Sequence, residues 1–111
     1  MSDSRVTVVL TTAANETEGA TISRALVEEH LAACVQRLPI ASTYRWRDRV
    51  EESSECLLII KTLATLVDEV GRRIHALSSY DVPEVVALEA ASVASAYGAW
   101  LASACRDIDQ R

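Results

Sequence analysis

The sequence predicts an α+β fold in which helices pack on one face of a four-stranded antiparallel sheet. Apolar, β-branched runs of strand character alternate with segments of helical periodicity, in the order β-α-β-β-α-β-α. The chain has 111 residues, which is enough for one domain because domains typically contain about 100–200 residues. We therefore interpret residues 1–111 as a single domain.

The first strand and the first helix are separated by a composition change near Asn15. Residues 6–10 read V-T-V-V-L and predict a strand that is buried on both faces. Asn15 followed three residues later by Glu18 is the pattern of a reciprocal helix cap, and acidic side chains are favoured at that end of a helix. Apolar residues at helical spacing follow, so we expect a helix over residues 16–30.

A long β-hairpin occupies the middle of the sequence. Residues 33–46 read as one long strand interrupted at Pro39, and residues 50–61 read as its partner. The connection is Arg47-Asp48, with Arg49 as an alternative third residue. Because strands usually contain about five or six residues, a hairpin of this length is expected to extend beyond the core of its own domain.

The second half of the chain repeats the β-α-β pattern and adds one helix. Apolar residues spaced by three and four predict a helix over 64–77, which a loop at 78–81 follows. A short strand is expected within 84–89 and a last helix over about 93–105, whereas the mostly polar ends, 1–4 and 106–111, are expected to be flexible.

Two β-α-β halves around a central hairpin predict the ferredoxin-like split βαβ arrangement with an extra C-terminal helix. One face of its sheet must then be covered by that helix or by another subunit.

The apolar content of the chain points to an oligomer. Half of the residues are hydrophobic and the mean hydropathy is +0.12, which is high for a small monomer with a large surface relative to its volume. The chain contains no Phe, so Tyr and Trp supply most of its large contact area. Tyr44, Trp46, Tyr97 and Trp100 lie on the hairpin and the last helix, where we expect a subunit interface or core packing, with ligand stacking as the alternative.

Charge and cysteine usage restrict the partners and the compartment. A net charge of −5 and a pI near 4.9 oppose general nucleic-acid binding, which requires a basic surface. The three cysteines form no C-x-x-C pair and are interpreted as reduced core side chains. No apolar run approaches the ~20 residues needed to span a bilayer, and the polar opening predicts no secretory signal, so a cytoplasmic protein is expected.

Charged side chains near the hairpin turn admit more than one interpretation. The acidic group is Glu51, Glu52 and Glu55, and the basic group is Arg45, Arg47 and Arg49. Ion pairing between the two groups is the favoured interpretation. The alternatives are a site for a hard cation such as Mg²⁺ or Ca²⁺ at the carboxylates and an anion clamp at the arginines.

Catalytic motifs are absent from the sequence. It contains no G-x-S-x-G, no H-E-x-x-H and no glycine-rich phosphate loop, so we predict that the protein is not an enzyme. His30 and His75 stand on predicted helices and are interpreted as partly exposed side chains, with metal ligation as the alternative.

Six short motifs are specific when they are taken together. They are L-V-E-E-H-L-A-A-C at 26–34, Y-x-W at 44–46, V-E-E at 50–52, L-L-I-I-K-T at 57–62, Y-D-V-P-E at 80–84 and Y-x-x-W-L at 97–101. In this order and spacing the sequence resembles the CutA divalent-cation-tolerance proteins. The resemblance implies a ferredoxin-like fold, a cytoplasmic homotrimer built through the long hairpins, a link to copper and other divalent cations, and no established reaction.

The resemblance also implies an alternative function, and two sites of this sequence differ from the family pattern. The subunit architecture of the family is similar to that of the PII signalling proteins, so the alternative is a PII-like regulatory module that binds a small effector between subunits. Where the family often has Cys after the first strand this chain has Thr11, and Ser78-Ser79 replaces its His-Pro. Thiolate and imidazole favour copper, so these replacements remove soft ligands.

A ligand cleft is expected around the loop before the last strand. Lys61 ends an apolar strand, and Tyr80, Pro83 and Glu84 lie on a loop that we expect to fold over the same strand end. In the family resemblance these positions flank a cleft between subunits, which predicts a small-molecule pocket. The alternative is a structural Glu84–Lys61 salt bridge with Tyr80 packed beside it.

Overall fold

The computed structural model describes residues 5–107 and contains the predicted elements in the predicted order. The strands are β1 (Val6–Ala13), β2 (Cys34–Trp46), β3 (Arg49–Leu63) and β4 (Val86–Glu89). The helices are α1 (Glu16–Glu28), α2 (Val67–Leu77), which a 3-10 turn at Ala64–Leu66 precedes, and α3 (Ser95–Ala104). Of the ends that the sequence predicts to be flexible, 1–4 and 108–111 lie outside the described residues.

Antiparallel pairing joins the four strands in the order β2-β3-β1-β4. Side chains alternate between two faces along each strand. On one of them, the helix face, Val9 of β1 lies opposite Ile60 of β3, and both side chains are fully buried with Leu26 of α1 and Ile74 of α2. Helices α1 and α2 therefore pack on one face of an antiparallel sheet, and the predicted ferredoxin-like α+β fold is confirmed.

The opposite face of the sheet is only partly covered, and we call it the open face. Its side chains are Val8, Leu10, Cys34, Gln36, Leu38, Ile40, Leu57, Ile59, Lys61, Val86 and Leu88. Helix α3 packs at one end of it, where Leu101 is buried with Ala33 and Leu63. Elsewhere Leu38 is 42% exposed and Leu88 51% exposed, so α3 alone does not provide the cover that the sequence predicts for this face.

The hairpin formed by β2 and β3 extends beyond the core. All 13 residues of β2 pair with β3, from Cys34 opposite Lys61 to Trp46 opposite Arg49. The part beyond the Ile40–Glu55 pair runs for about 20 Å at about 3.3 Å per residue. It gives the chain an elongated shape of 45 × 28 × 23 Å, as the strand lengths in the sequence predict.

Pro39 does not interrupt β2, contrary to the prediction from the sequence. The residue lies opposite Cys56 within the continuous register. Because β2 is an edge strand, a residue without an N–H group can be accommodated where the missing donor points away from the partner strand. The position of a strand within the sheet, which the local sequence does not encode, decides the effect of the proline.

The hairpin turn is the shorter of the two predicted connections. Arg47 and Asp48 form it alone, with φ values of 52° and 65°. Positive φ at both central residues is the type I′ geometry that matches the twist of a two-residue hairpin. Aspartate tolerates this region of backbone space more readily than arginine does, so Arg47 holds the less favourable conformation.

The predicted cap of α1 forms, but the Glu18 carboxylate accepts from the N–H of Ala14 instead of that of Asn15. The Glu18 N–H donates to Asn15 Oδ1 at 2.9 Å, and the Glu18 carboxylate accepts from the Ala14 N–H at 3.1 Å. Helix α1 ends at Glu28, two residues earlier than predicted, and the chain turns through His30 at a φ of 59°. Within residues 5–107, no helix has the length and apolar character required to cross a membrane.

Gly19 of α1 packs directly against β3, and its replacement tests that contact. A Cβ atom at this position would lie 2.7 Å from the buried Cys56 Sγ, so we expect Gly19→Ala to lower the free energy of unfolding by about 1–3 kcal/mol. Gly71→Ala on α2 is the matched control, because its Cβ would lie 3.7 Å from the nearest atom. It should raise stability by about 0.5–1 kcal/mol, the helix preference for alanine.

Urea unfolding of both variants measures the two effects. The double variant Gly19→Ala/Cys56→Ala should recover part of the loss, since the thiol is then gone. Equal stability changes in the two glycine variants, or no recovery in the double variant, would contradict this packing.

Candidate functional site

A pocket of about 640 Å³ lies where the distal part of the hairpin meets the segment between α2 and β4. Its carboxylates are Glu55 of β3 and the loop residues Asp81 and Glu84. Its rings are Tyr44 and Trp46 of β2 and Tyr80 of the loop, and its hydroxyl groups belong to Thr12, Ser42, Thr43 and Ser79. Strands from two parts of the chain and one loop therefore build a single concave surface.

Glu55 is the anchor of the pocket. The Tyr80 hydroxyl donates to Glu55 Oε2 at 2.6 Å. Burial by itself raises the pKa of the Glu55 carboxyl, but hydrogen bonds from Ser42, Tyr80 and Thr12 outweigh burial and hold this pKa below its ordinary value. Glu55 is therefore a carboxylate at neutral pH, held by side chains from three elements.

Tyr80 is held as a hydrogen-bond donor. Burial and the neighbouring Glu55 carboxylate raise the pKa of the Tyr80 phenol far above its ordinary value, so the proton stays on its oxygen. The backbone on either side is also fixed, because the Ser79 N–H donates to Glu18 Oε1 at 3.2 Å and the Tyr80 N–H donates to Ser78 Oγ at 3.0 Å. Glu18 thus caps α1 and anchors the loop that carries Tyr80.

The electrostatic character of the pocket is acidic. Of the described residues that line it, none is Lys, Arg or His, whereas three carry carboxylates. The Arg47 guanidinium, which is not among the groups that line the pocket, lies 5.6 Å from the centre of the Trp46 ring. A face of Trp46 therefore already attracts a cation in the folded chain.

The predicted cleft residues are only partly brought together within one chain. Tyr80 and Glu84 line the pocket, and Pro83 lies beside them on the same loop. Lys61 lies six residues from Glu55 along β3, about 20 Å away, and its Nζ donates to Gln36 Oε1 at 2.8 Å. The alternative salt bridge between Lys61 and Glu84 is therefore not formed in the described chain, and a shared inter-subunit cleft stays a prediction.

The predicted interface residues are exposed on the chain. Tyr44 and Trp46 are each 43% exposed and form a wall of the pocket, the position that the alternative interpretation, stacking on a ligand, requires. Trp100 of α3 is 46% exposed, and its ring centre lies 5.4 Å from that of Tyr97. The Tyr97 hydroxyl lies 3.5 Å from Cys34 Sγ and so joins α3 to the open face.

The charged side chains near the turn form little of the ion pairing that the sequence favours. Arg49 Nε lies 4.0 Å from Glu51 Oε2, which is a weak contact between exposed side chains of the same strand. Glu55 is bound by hydroxyl groups rather than by an arginine of the turn. The sequence assigned Glu55 to the wrong partners because the loop that supplies Tyr80 is distant in the chain. Because side chains alternate between the two faces of a strand, the sequence could have placed Glu55 on the same face as Thr12 and Ser42.

A copper site does not fit the residues of this pocket. Its lining offers carboxylate and hydroxyl oxygens without a thiol or an imidazole, and among residues 5–107 no three His, Cys, Asp or Glu side chains converge on a common metal position. Thr11, which stands where the family often has Cys, is buried, and within the described chain its hydroxyl has no hydrogen-bond partner. His30 Nδ1 donates to the Ala104 carbonyl, and His75 is exposed on α2.

Comparison with known proteins identifies the family. Residues 7–104 match the model of the CutA1 divalent ion tolerance protein family. The divalent-cation tolerance protein CutA of Thermus thermophilus is 45% identical over 95 residues, which cover 85% of this chain and 92% of that protein. The chloroplastic protein CutA of Arabidopsis thaliana is 40% identical over 90% of this chain, which spans 56% of that longer relative.

The fold agrees with the sequence match. The crystal structure of CutA1 from Oryza sativa superposes with a TM-score of 0.90 at 38% identity, and the alignment covers 93% of this chain and 95% of that one. The match includes nearly the whole sheet and all three helices. The chain therefore belongs to the CutA1 divalent ion tolerance protein family.

Proposed function

We propose that the protein is a homotrimer that acts in divalent-cation tolerance, including the response to copper, by binding and without catalysis. The open face is the main observation that supports a trimer. Its apolar strip is continuous across all four strands, yet α3 covers only one end of it. Contiguous exposed apolar surface of this kind is typical of a protein–protein interface.

The overhanging hairpin supports the same assembly. Beyond the Ile40–Glu55 pair the hairpin has no helix of its own chain beneath it, and its tip carries the half-exposed rings of Tyr44 and Trp46. Rings with an apolar body and a polar edge are enriched at interfaces. Together with Trp100, they are our proposed contacts between subunits.

The titration behaviour of the pocket supports binding rather than turnover. A general acid or base works best when its pKa lies near the working pH. Hydrogen bonding lowers the pKa of Glu55, and burial raises that of Tyr80, so both groups are moved away from neutrality. These are properties of a fixed recognition surface.

The trimer is tested by placing a charge on the open face. Leu88→Glu should dissociate the assembly, because a carboxylate would be buried in an apolar contact without a partner. Val27→Glu is the matched control, since Val27 is similarly exposed at 40% but lies on α1. Sedimentation at low micromolar concentration should give about three times 12.1 kDa for the parent and the control.

Loss of mass in Leu88→Glu alone supports the interface. A parent protein that sediments as a monomer, or equal dissociation of both variants, would contradict it. Trp46→Ala in the same assay tests the contribution of the hairpin.

Direct copper binding is tested by titration calorimetry with Cu²⁺ and Zn²⁺. Because the pocket contains only oxygen ligands, we expect a Kd of about 1 mM or weaker for Cu²⁺, with no preference over Zn²⁺. A Kd well below this range, together with a preference for Cu²⁺, would show that thiol or imidazole groups bind the metal. It would contradict the conclusion that the residues of the pocket do not fit copper. Weak binding implies that tolerance depends on another ligand.

The second candidate function is a PII-like regulatory module that binds a small effector at the subunit boundary. The observation that favours it is the pocket itself, which combines rings, hydroxyl groups and carboxylates in a volume suited to a small molecule. Tyr80 and Glu84 supply polar groups of this site, and Tyr44 and Trp46 connect it to the proposed interface. This position would couple effector binding to the arrangement of subunits.

The anchoring of the pocket predicts a pH-dependent effect of Tyr80→Phe. Removing the hydroxyl group should cost about 1.5 kcal/mol near pH 7, at the low end for a hydrogen bond to a charged group because both side chains are half-buried. The pKa of Glu55 is lowered in the folded state, so the stabilisation it provides is present at neutral pH and lost as the pH falls through that pKa. The difference from the parent should therefore shrink near pH 3.

Thermal unfolding at about pH 7 and about pH 3 measures this dependence. Tyr97→Phe is the control, because its hydroxyl faces the Cys34 thiol and no carboxylate, so its effect should be the same at both values. A Tyr80→Phe effect that does not change with pH would contradict the anchoring role of Glu55.

We also place this function in the cytoplasm. Cys34, Cys56 and Cys105 are free thiols in the structure, and unpaired cysteines are typical of reducing compartments. One relative of this chain is named a chloroplastic protein, so the compartment differs within the family. Labelling of the three thiols in intact cells with a thiol reagent would show their redox state.

A further inference from the structure

The size and walls of the pocket suit an organic ligand better than a bare metal ion. Its volume of about 640 Å³ lies within the range of about 300–1,000 Å³ found for small-molecule sites. Tyr44, Trp46 and Tyr80 form much of the wall, and aromatic faces do not coordinate hard cations. An organic ligand of several non-hydrogen atoms fits these dimensions.

The charge of the pocket selects the charge of the ligand. Glu55, Asp81 and Glu84 line the cavity, and none of the residues 5–107 that line it is basic. An anionic effector such as a nucleotide would approach these carboxylates without a compensating cation from the described residues that line the pocket in one chain, which is unfavourable in a concave site. A cationic ligand would be attracted by the same groups.

The aromatic walls add a second attraction for a cation. The Trp46 ring already attracts the Arg47 guanidinium, which lies 5.6 Å from its centre. Trp is the strongest of the aromatic side chains in such contacts, and rings combined with carboxylates are typical of sites for ammonium groups. The contact with Arg47 is an example of this geometry within the chain, at a side chain that does not itself line the pocket.

Hydroxyl groups complete the recognition surface. Thr12, Ser42 and Ser79 carry oxygens that accept hydrogen bonds from N–H groups. Their alignment with Glu55 is fixed, since Thr12 and Ser42 already hydrogen-bond to this carboxylate. A ligand with N–H donors would find several acceptors already in place.

We propose that this pocket binds a small organic cation, an amine or ammonium compound, whose positive group lies between the carboxylates of Glu55, Asp81 and Glu84 and the rings of Tyr44, Trp46 and Tyr80. The proposal rests on the effector-binding function proposed above and specifies the chemical class of that effector. It assigns to Glu84 and Trp46 a direct contact with the ligand, and to Tyr80 and Glu55 the positioning of the wall.

Calorimetric titration of the parent protein with four probes tests the proposal. The cationic probes are choline and agmatine, and the controls are ATP for an anionic effector and Mg²⁺ for a metal. We expect at least one cationic probe to bind with a Kd below about 1 mM, and neither ATP nor Mg²⁺ to compete with it.

A matched pair of variants separates specific binding from general attraction to an acidic protein. Glu84→Gln should weaken the cationic probe about tenfold, because one charge-assisted contact is lost. Glu28→Gln changes the net charge equally, but Glu28 lies on α1 beside Arg24 and outside the pocket, so the Kd should change less than twofold. Circular dichroism of both variants confirms that they are folded.

The possible failures of the two proposals are distinguishable. Binding of ATP without binding of either cation overturns the cationic assignment and retains an effector site. No binding of any organic probe up to about 10 mM overturns both the cationic assignment and the effector function. Equal weakening by the two glutamate variants shows diffuse attraction and also overturns the site.

Discussion

The unbroken register between β2 and β3 is the constraint on which the rest of the structure depends. It fixes which side chains of 28 strand residues point toward the helices and which point to the open face. A shift by one residue would move Leu58 and Ile60 out of the core and Lys61 into it. The same alternation places Glu55 beside Ser42 and Thr12, so the pocket and the core are consequences of one pairing pattern.

Local patterns were sufficient to predict most of the fold, and positions that depend on distant parts of the chain were not. The helices and strands follow from periodicity, and the α1 cap follows from Asn15 and Glu18. The effect of Pro39 depends on β2 lying at the sheet edge, which is a property of the whole topology. Likewise, Tyr80 reaches Glu55 across 25 residues of sequence, a contact that charge matching within the hairpin did not predict.

The candidate pocket contains two of the predicted loop residues but not the predicted strand residue. Tyr80 and Glu84 stand in a motif that resembles the family pattern, and both line the pocket. Lys61 stands in such a motif too, but strand geometry places it about 20 Å from Glu55 and next to Gln36. Sequence proximity to an apolar strand end does not specify which end of the sheet the following loop reaches.

Pro39 has a consequence for the solubility of the protein. A fully paired edge strand of 13 residues presents a long row of outward N–H and C=O groups, which is a template for uncontrolled pairing with strands of other molecules. A proline near the middle of that row removes one donor, and the charged side chains of Arg37 and Arg45 flank it on the same strand. Pro39 thus limits open-ended pairing of β2 with strands of other molecules. An edge strand of this length favours such aggregation when nothing interrupts its row of donors.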